Sequence, residues 1–80
     1  GMSLREGDEG LEVVAVAPGS IAERGGMRPG DALLAIDRSE VRTLEMLERI
    51  RKGLRPGRTV VLLVRRGDAA LYLALPLPKS

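Results

Sequence analysis

The chain contains no cysteine, no histidine, no tryptophan and no phenylalanine, and Tyr72 is its only aromatic residue. Without cysteine there is no disulfide framework and no thiolate chemistry. With histidine absent too, a Ser-His-Asp triad and a Cys-His pair are both excluded. Ser3, Ser20, Ser39 and Ser80 are the only serines, and none sits in a nucleophile-elbow context. A single aromatic gives no platform on which bases could stack, so nucleic acid is not an expected partner. No apolar run approaches the roughly 20 residues of a membrane-spanning helix, and no signal-peptide pattern precedes the first predicted strand. Direct membrane insertion is therefore not expected. Glu6, Asp8, Glu9 and Glu12 crowd together but lack the spacing of a calcium loop. The expectation is a protein that is not an enzyme, with no catalytic residue, no metal and no cofactor.

What is present describes one small globular domain. Eighty residues, 44% hydrophobic and 30% charged, suit a single soluble unit over 1–80, read as a piece excised from a longer protein. The net charge of +2 is unevenly placed. Residues 1–48 hold five basic and ten acidic side chains, whereas residues 49–80 hold eight basic and one acidic. Such a basic half reads as a solvated face before it reads as a nucleic-acid or anionic-lipid surface. Modest steering of anionic peptide termini is a third reading.

Along the chain, residues 1–6 predict a short strand and Gly7-Asp8-Glu9-Gly10 a turn. Leu11 to Ala17 predicts a second strand, with Val13, Val14 and Val16 suited to a buried pleated surface. Pro18-Gly19 stops it. Ser20 is a good N-cap, and Glu23 falls at capping-box spacing. Ile21 and Ala22 start a helix of little more than one turn, which Gly25-Gly26 ends. Arg28-Pro29-Gly30-Asp31 is turn chemistry. Ala32 to Ile36 predicts a buried strand, and Asp37-Arg38 turns into a short strand around Val41.

Thr43 predicts the cap of a longer helix, with Glu45 in its first turn and Arg51 and Lys52 in its last. Gly53 suits a left-handed C′ position, and Pro56 blocks continuation. Leu44, Met46, Leu47, Ile50 and Leu54 fan too widely for one narrow seam, so some face the core and some line a groove. Thr59 to Val64 predicts a strand, Arg65-Arg66-Gly67-Asp68 a hairpin turn, and Leu71 to Leu75 the return, with Pro76 and Pro78 ending the sheet. The tripeptide Arg66-Gly67-Asp68 is read as part of that turn and not as an integrin ligand. The sum is an α+β fold: a small five- to six-stranded sandwich or partly open barrel with two helices.

The segment from Ala17 to Asp37 carries more than secondary structure. Its order Ala-Pro-Gly-Ser-Ile-Ala-Glu-Arg-Gly-Gly-Met-Arg-Pro-Gly-Asp-Ala-Leu-Leu-Ala-Ile-Asp closely resembles the centre of a bacterial PDZ domain. Ile21 stands where proline is frequent, Gly26-Met27 for the usual Gly-Leu, and Asp37-Arg38 for Asn-Gly or Asp-Gly. The resemblance runs from about Gly10 to Leu75. It is to the permuted bacterial type, whose sheet closes with a C-terminal strand, here Leu71 to Leu75. Such domains occur in HtrA-type, site-2, carboxy-terminal-processing and retropepsin-like proteases and in type II secretion proteins.

The resemblance implies a module that captures C-terminal or extended peptides by strand addition, beside a protease domain of a parent chain. Gly1-Met2-Ser3-Leu4 is similar in pattern to the family's carboxylate-holding loop, a small anion nest of backbone amides. Read otherwise, those four residues are foreign to the domain. The implied groove sets Leu4, Arg5 and Glu6 against Thr43, Leu47, Ile50 and Arg51 of the second helix, with Met46 and Leu54 facing mainly inward. Met2, Leu4 and Leu47 imply an apolar last residue on the ligand. Thr43 stands where animal relatives that prefer Ser or Thr two residues earlier carry histidine, so that preference is not implied. An extracytoplasmic setting follows by the same analogy. The alternative is a docking domain with no free groove.

Overall fold

The computed structural model describes residues 2–78, so Gly1 of the expected carboxylate loop lies outside the described residues. The chain runs β1 (Met2–Glu6), β2 (Leu11–Val16), α1 (Ile21–Arg24), β3 (Ala32–Ile36), β4 (Ser39–Glu40), α2 (Leu44–Gly53), β5 (Thr59–Arg66) and β6 (Ala69–Pro76). All pairings are antiparallel. The strands lie in the order β1-β2-β3-β5-β6, and β4 pairs with β3 off that path. The expected α+β architecture with a C-terminal closing strand is what forms.

Each boundary has a local cause. In α1 the Ser20 hydroxyl accepts the Glu23 amide at 3.2 Å. The Glu23 carboxylate reaches back to the Gly19 amide at 2.8 Å, one residue earlier than in a capping box. Gly26, at φ 99, turns the chain out of the helix. The two Arg-Pro-Gly turns share one geometry. Proline presets the second position and glycine takes positive φ at the third, Gly30 at 94 and Gly57 at 80.

Four details depart from the sequence reading. A bulge between Ser3 and Leu4 pairs Ser3 with Ala15 but Leu4 with Val13, which leaves Val14 unpaired and half exposed. Gly53 is the last helical residue and not a left-handed C′, because Leu54 leaves the helix directly in extended conformation. Arg65 and Arg66 belong to β5, so the hairpin turn is only Gly67-Asp68. Met46 is half-buried but does not join the side chains packed on the core.

Alternation along the strands decides the core, shifted by one residue in β3 by an irregularity between Leu33 and Ala35. Leu11 and Val13 of β2, Leu33 and Ile36 of β3, and Val60, Leu62 and Val64 of β5 are buried, joined by Val41, Met27 and Leu75. Among the described residues the lone buried charge is Asp31. The Arg66 Nε donates to its Oδ1 and the Arg66 Nη2 to its Oδ2, both at 2.8 Å. The Arg66 Nη2 also donates to the Gly26 carbonyl at 2.7 Å. Arg66 is thereby folded against its own domain, which takes it out of any displayed Arg-Gly-Asp tripeptide.

Candidate functional site: a groove between an open strand edge and a helix

β1 is an end strand: β2 covers one side, and no strand among the described residues covers the other. Its outward backbone groups are a template for a further strand. Alternation points Met2 and Leu4 toward the interior, half-buried, and Ser3 and Arg5 to the opposite, exposed face. Arg5 there pairs with Glu12. The side chains of Met2 and Leu4 thus line the space beside the open edge, and the hydrogen-bonded Gly7–Gly10 pair sets the ladder so that Arg5 bonds across to Glu12 while Leu4 and Glu6 turn their backbone groups to that edge.

α2 forms the facing wall. The Thr43 hydroxyl accepts the Met46 amide at 3.1 Å, and Glu45 lies in the first turn and Arg51 and Lys52 in the last, as the macrodipole favours. The Glu6 carboxylate accepts the Leu44 amide at 3.0 Å, which ties the end of β1 to the start of α2. The two elements therefore run in opposite directions, and Met2 faces the Arg51 end of the helix. No side chain of α2 is fully buried. The helix leans on the core through half-buried Leu47 and Ile50, with Leu54 just beyond its end, and does not seal against the sheet.

What remains between them is an apolar groove of ≈ 330 Å³ with Met2 and Leu4 on one side, Leu47, Arg51 and Leu54 on the other, and Leu62 beneath. Among the described residues, Arg51 is the only charged one in its lining. Its Nη2 donates to the Glu48 Oε1 at 2.6 Å and its Nε to Oε2 at 3.0 Å. That fork holds the Glu48 carboxyl below the ordinary glutamate range and pushes the guanidinium further up, so both stay ionised.

Among the residues singled out from the sequence, Met2, Leu4, Leu47 and Arg51 come together at the groove. Glu6 and Thr43 lie at its far end with a carboxylate oxygen and the hydroxyl on the helix N-terminus. Ile50 packs on the core outside the groove lining. Of the four residues read as a carboxylate loop, Met2, Ser3 and Leu4 are strand residues. Ile21 and Leu77 also line the groove and were not anticipated. Leu77 gets there because its amide donates to the Arg58 carbonyl at 2.8 Å, carrying the chain past β6. An apolar residue between two prolines was its only mark in the sequence.

The comparisons agree with this geometry. A family model described as "PDZ domain" matches residues 12–66. A probable periplasmic serine endoprotease, DegP-like, of Chlamydia pneumoniae is 34% identical over 67 residues, covering 84% of this chain and 14% of that protein. A putative zinc metalloprotease of Xylella fastidiosa is 38% identical over 69 residues, covering 85% of this chain and 15% of its own length. The chain thus spans about one seventh of the curated relatives it matches. Among solved structures, the HtrA3 PDZ domain bound to a phage-derived ligand (FGRWV) superposes with a TM-score of 0.82 at 24% identity, over 95% of this chain and 80% of that one. An open antiparallel sheet, a short and a long helix, a groove beside an unpaired edge and a family match over most of the residues converge on one assignment: the chain belongs to the PDZ domain family.

Proposed function

We propose that this domain captures peptides by strand addition along β1, and that it does so for a protease in the same parent chain. The observation that carries the reading is the unpaired β1 edge lying directly beside an apolar groove. An added strand gains backbone hydrogen bonds from the edge, and every second side chain turns into the groove. A strand antiparallel to β1 ends at Met2, where Arg51 is the only cation among the groove's described lining residues and its apolar walls are Met2, Leu4, Leu47 and Leu54. That end suits a free carboxylate following an apolar last side chain. Glu6 and Thr43 mark the entry of the groove, where the ligand's upstream residues pass, and Met2 lies at its exit. Of the rest of the expected set, Ser3 and Arg5 lie on the face away from the groove, and Ile50 supports the helix wall. The relatives' names, a periplasmic endoprotease among them, support a protease-linked and extracytoplasmic setting.

The test is an amide NMR titration with short peptides ending in an apolar residue, as free acid and as C-terminal amide. Free-acid binding, with shifts along Met2–Glu6 and Thr43–Arg51, is the expected result. Equal binding of the two forms overturns the carboxylate end of the proposal. No shift with either leaves the docking-domain reading in its place. Affinity is expected to be modest, since a few added residues bury well under the roughly 1,200 Å² of a stable interface.

A further inference from the structure

The sheet has a second end, and it is built differently from the first. β1 is five residues long, is bulged between Ser3 and Leu4, and carries Arg5 and Glu6. Short length, a bulge and charges are the devices that keep an edge strand from pairing with the wrong chain. β6 has none of them in its body. It runs eight residues in unbroken register with β5, from Ala69 to Pro76, with no charged side chain and its only proline in last place. No strand among the described residues lies on its outer side. Tyr72, at its centre, is 73% exposed.

The sequence of β6 is also symmetric. Ala70-Leu71-Tyr72-Leu73-Ala74 reads the same in both directions. Residues directly opposite one another in an antiparallel ladder lie on the same face. A two-fold axis through Tyr72 therefore sets Tyr72 against Tyr72, Leu71 against Leu73 and Ala70 against Ala74. On the core side the half-buried Leu71 and Leu73 join the two interiors. On the outer side one aromatic pair sits between alanines small enough to make room. An isologous interface demands a self-complementary surface, and this pentapeptide meets the demand at every position. An axis between residues 72 and 73 fails, because it opposes the outward Tyr72 to the inward Leu73. The end of α1 borders the second half of this edge, with Gly26 near the Leu73 side chain and Gly25 against Leu75 and the outward-facing Ala74 carbonyl, so the edge is clear of the helix from Ala69 to Tyr72. The residue brought nearest by the partner is Ala70, which adds little bulk.

We infer that a second copy of this chain pairs antiparallel along β6 about Tyr72, fusing two sheets into one with a β1 edge free at each end. The inference stands independently of peptide binding. If both hold, the dimer presents two grooves facing away from each other, and a bivalent target gains from the linkage. Five residues per strand make a small interface, so the expected dissociation constant is roughly 10 μM to 1 mM.

The test is sedimentation velocity on this chain from about 10 μM to 1 mM, a range set by that estimate, together with amide spectra across the same dilution series. A monomer–dimer equilibrium with shifts confined to Ala69–Leu75 is expected. Tyr72→Lys places like charges on the axis and should remove the dimer while leaving circular dichroism unchanged, since the side chain is exposed. The chain has no cysteine, so Tyr72→Cys gives a register probe. Under mild oxidation it should form a disulfide-linked dimer at least tenfold faster than Val14→Cys, an exposed control on β2. A chain that stays monomeric at 1 mM overturns the inference. So does a dimer that Tyr72→Lys leaves intact, one whose shifts fall on β1 and α2, or cross-linking no faster than the control.

Discussion

Asp31 and Arg66, 35 residues apart, meet in a two-point contact at 2.8 Å through both carboxylate oxygens. The Asp31 Oδ2 also accepts the Arg28 amide at 2.9 Å, and the Val13 amide donates to the Asp31 carbonyl at 2.8 Å. One residue thereby fastens the Arg-Pro-Gly-Asp turn to β2 through its backbone carbonyl and to the end of β5 through its side chain. The aspartate is buried whereas the arginine keeps 30% of its side chain exposed, so the guanidinium screens a charge that could not stand alone.

The hydrogen bond from Arg66, more than any other influence, holds the Asp31 carboxyl below its ordinary value, against the opposing effect of burial. A carboxyl depressed in the folded state stabilises the fold fully above its unfolded value of about 3.9. It loses that contribution as pH falls through the lower folded value. Asp31→Asn should therefore lower stability at pH 7 by about 1–3 kcal/mol, or roughly 4–8 °C in Tm per kcal/mol for a domain of this size. The gap to the unaltered chain should narrow below about pH 4. Thermal melts at pH 7 and pH 3 check both statements; a gap that widens in acid contradicts the pairing.

Two glycines should respond oppositely to alanine. A Cβ at Gly10 runs into the backbone carbonyl of Leu33, which cannot move aside without disturbing β3. Gly10→Ala should cost about 1–3 kcal/mol. Gly53 ends α2 with open space around it and no positive φ. Gly53→Ala should stabilise by about 0.5–1 kcal/mol, since glycine loses more backbone freedom on helix formation. Urea denaturation of the two variants separates these signs.

Thr43 caps α2 through its hydroxyl. Thr43→Ala should destabilise the domain by about 1 kcal/mol, and Thr43→Ser should retain most of it. If Thr43 instead serves the ligand alone, peptide affinity will fall in the alanine variant while the denaturation midpoint stays put. Measuring both quantities on the same samples decides.

At the other end of the groove, Arg51→Gln should narrow the preference for a free-acid peptide over its amide by roughly two- to fivefold, the range of exposed charge pairs. Leu47→Ala should weaken both peptides together by roughly tenfold, through lost apolar contact. Isothermal titration with the paired peptides reads the two effects apart. Parallel loss in the Arg51→Gln variant would remove the arginine from carboxylate recognition.

What the sequence disclosed was what neighbouring residues decide among themselves. Ser20 with Glu23, Thr43 with Met46 and proline followed by glycine are contacts within four residues, and each was readable. The Arg51 fork to Glu48 belongs to the same local class. The failures are of a different kind. Gly53 was expected to turn left-handed because glycine usually does at a helix end; here Leu54 goes straight into the groove wall. Arg65 and Arg66 looked like turn residues because they are charged, but Arg66 answers to Asp31, which no local pattern reveals. Val14 read as core, but alternation with the buried Leu11 and Val13 puts it on the outer face, where the bulge opposite β1 also leaves it unpaired. Leu77 reached the groove only through a hydrogen bond to Arg58. The fold was legible because its punctuation is local, and the groove only half so because its two walls are 40 residues apart.

α2 has no fully buried side chain, and that bears on time as well as shape. Free energies of local opening track how much each segment buries. The backbone amides of α2 should exchange with solvent hydrogen well before those of β3 and β5, whose Leu33 and Val64 are sealed. The helix is thus a separately labile unit on a stable sheet. On the peptide-capture reading, such a helix would shift to admit ligand side chains of different size while the pairing that defines the fold stays closed.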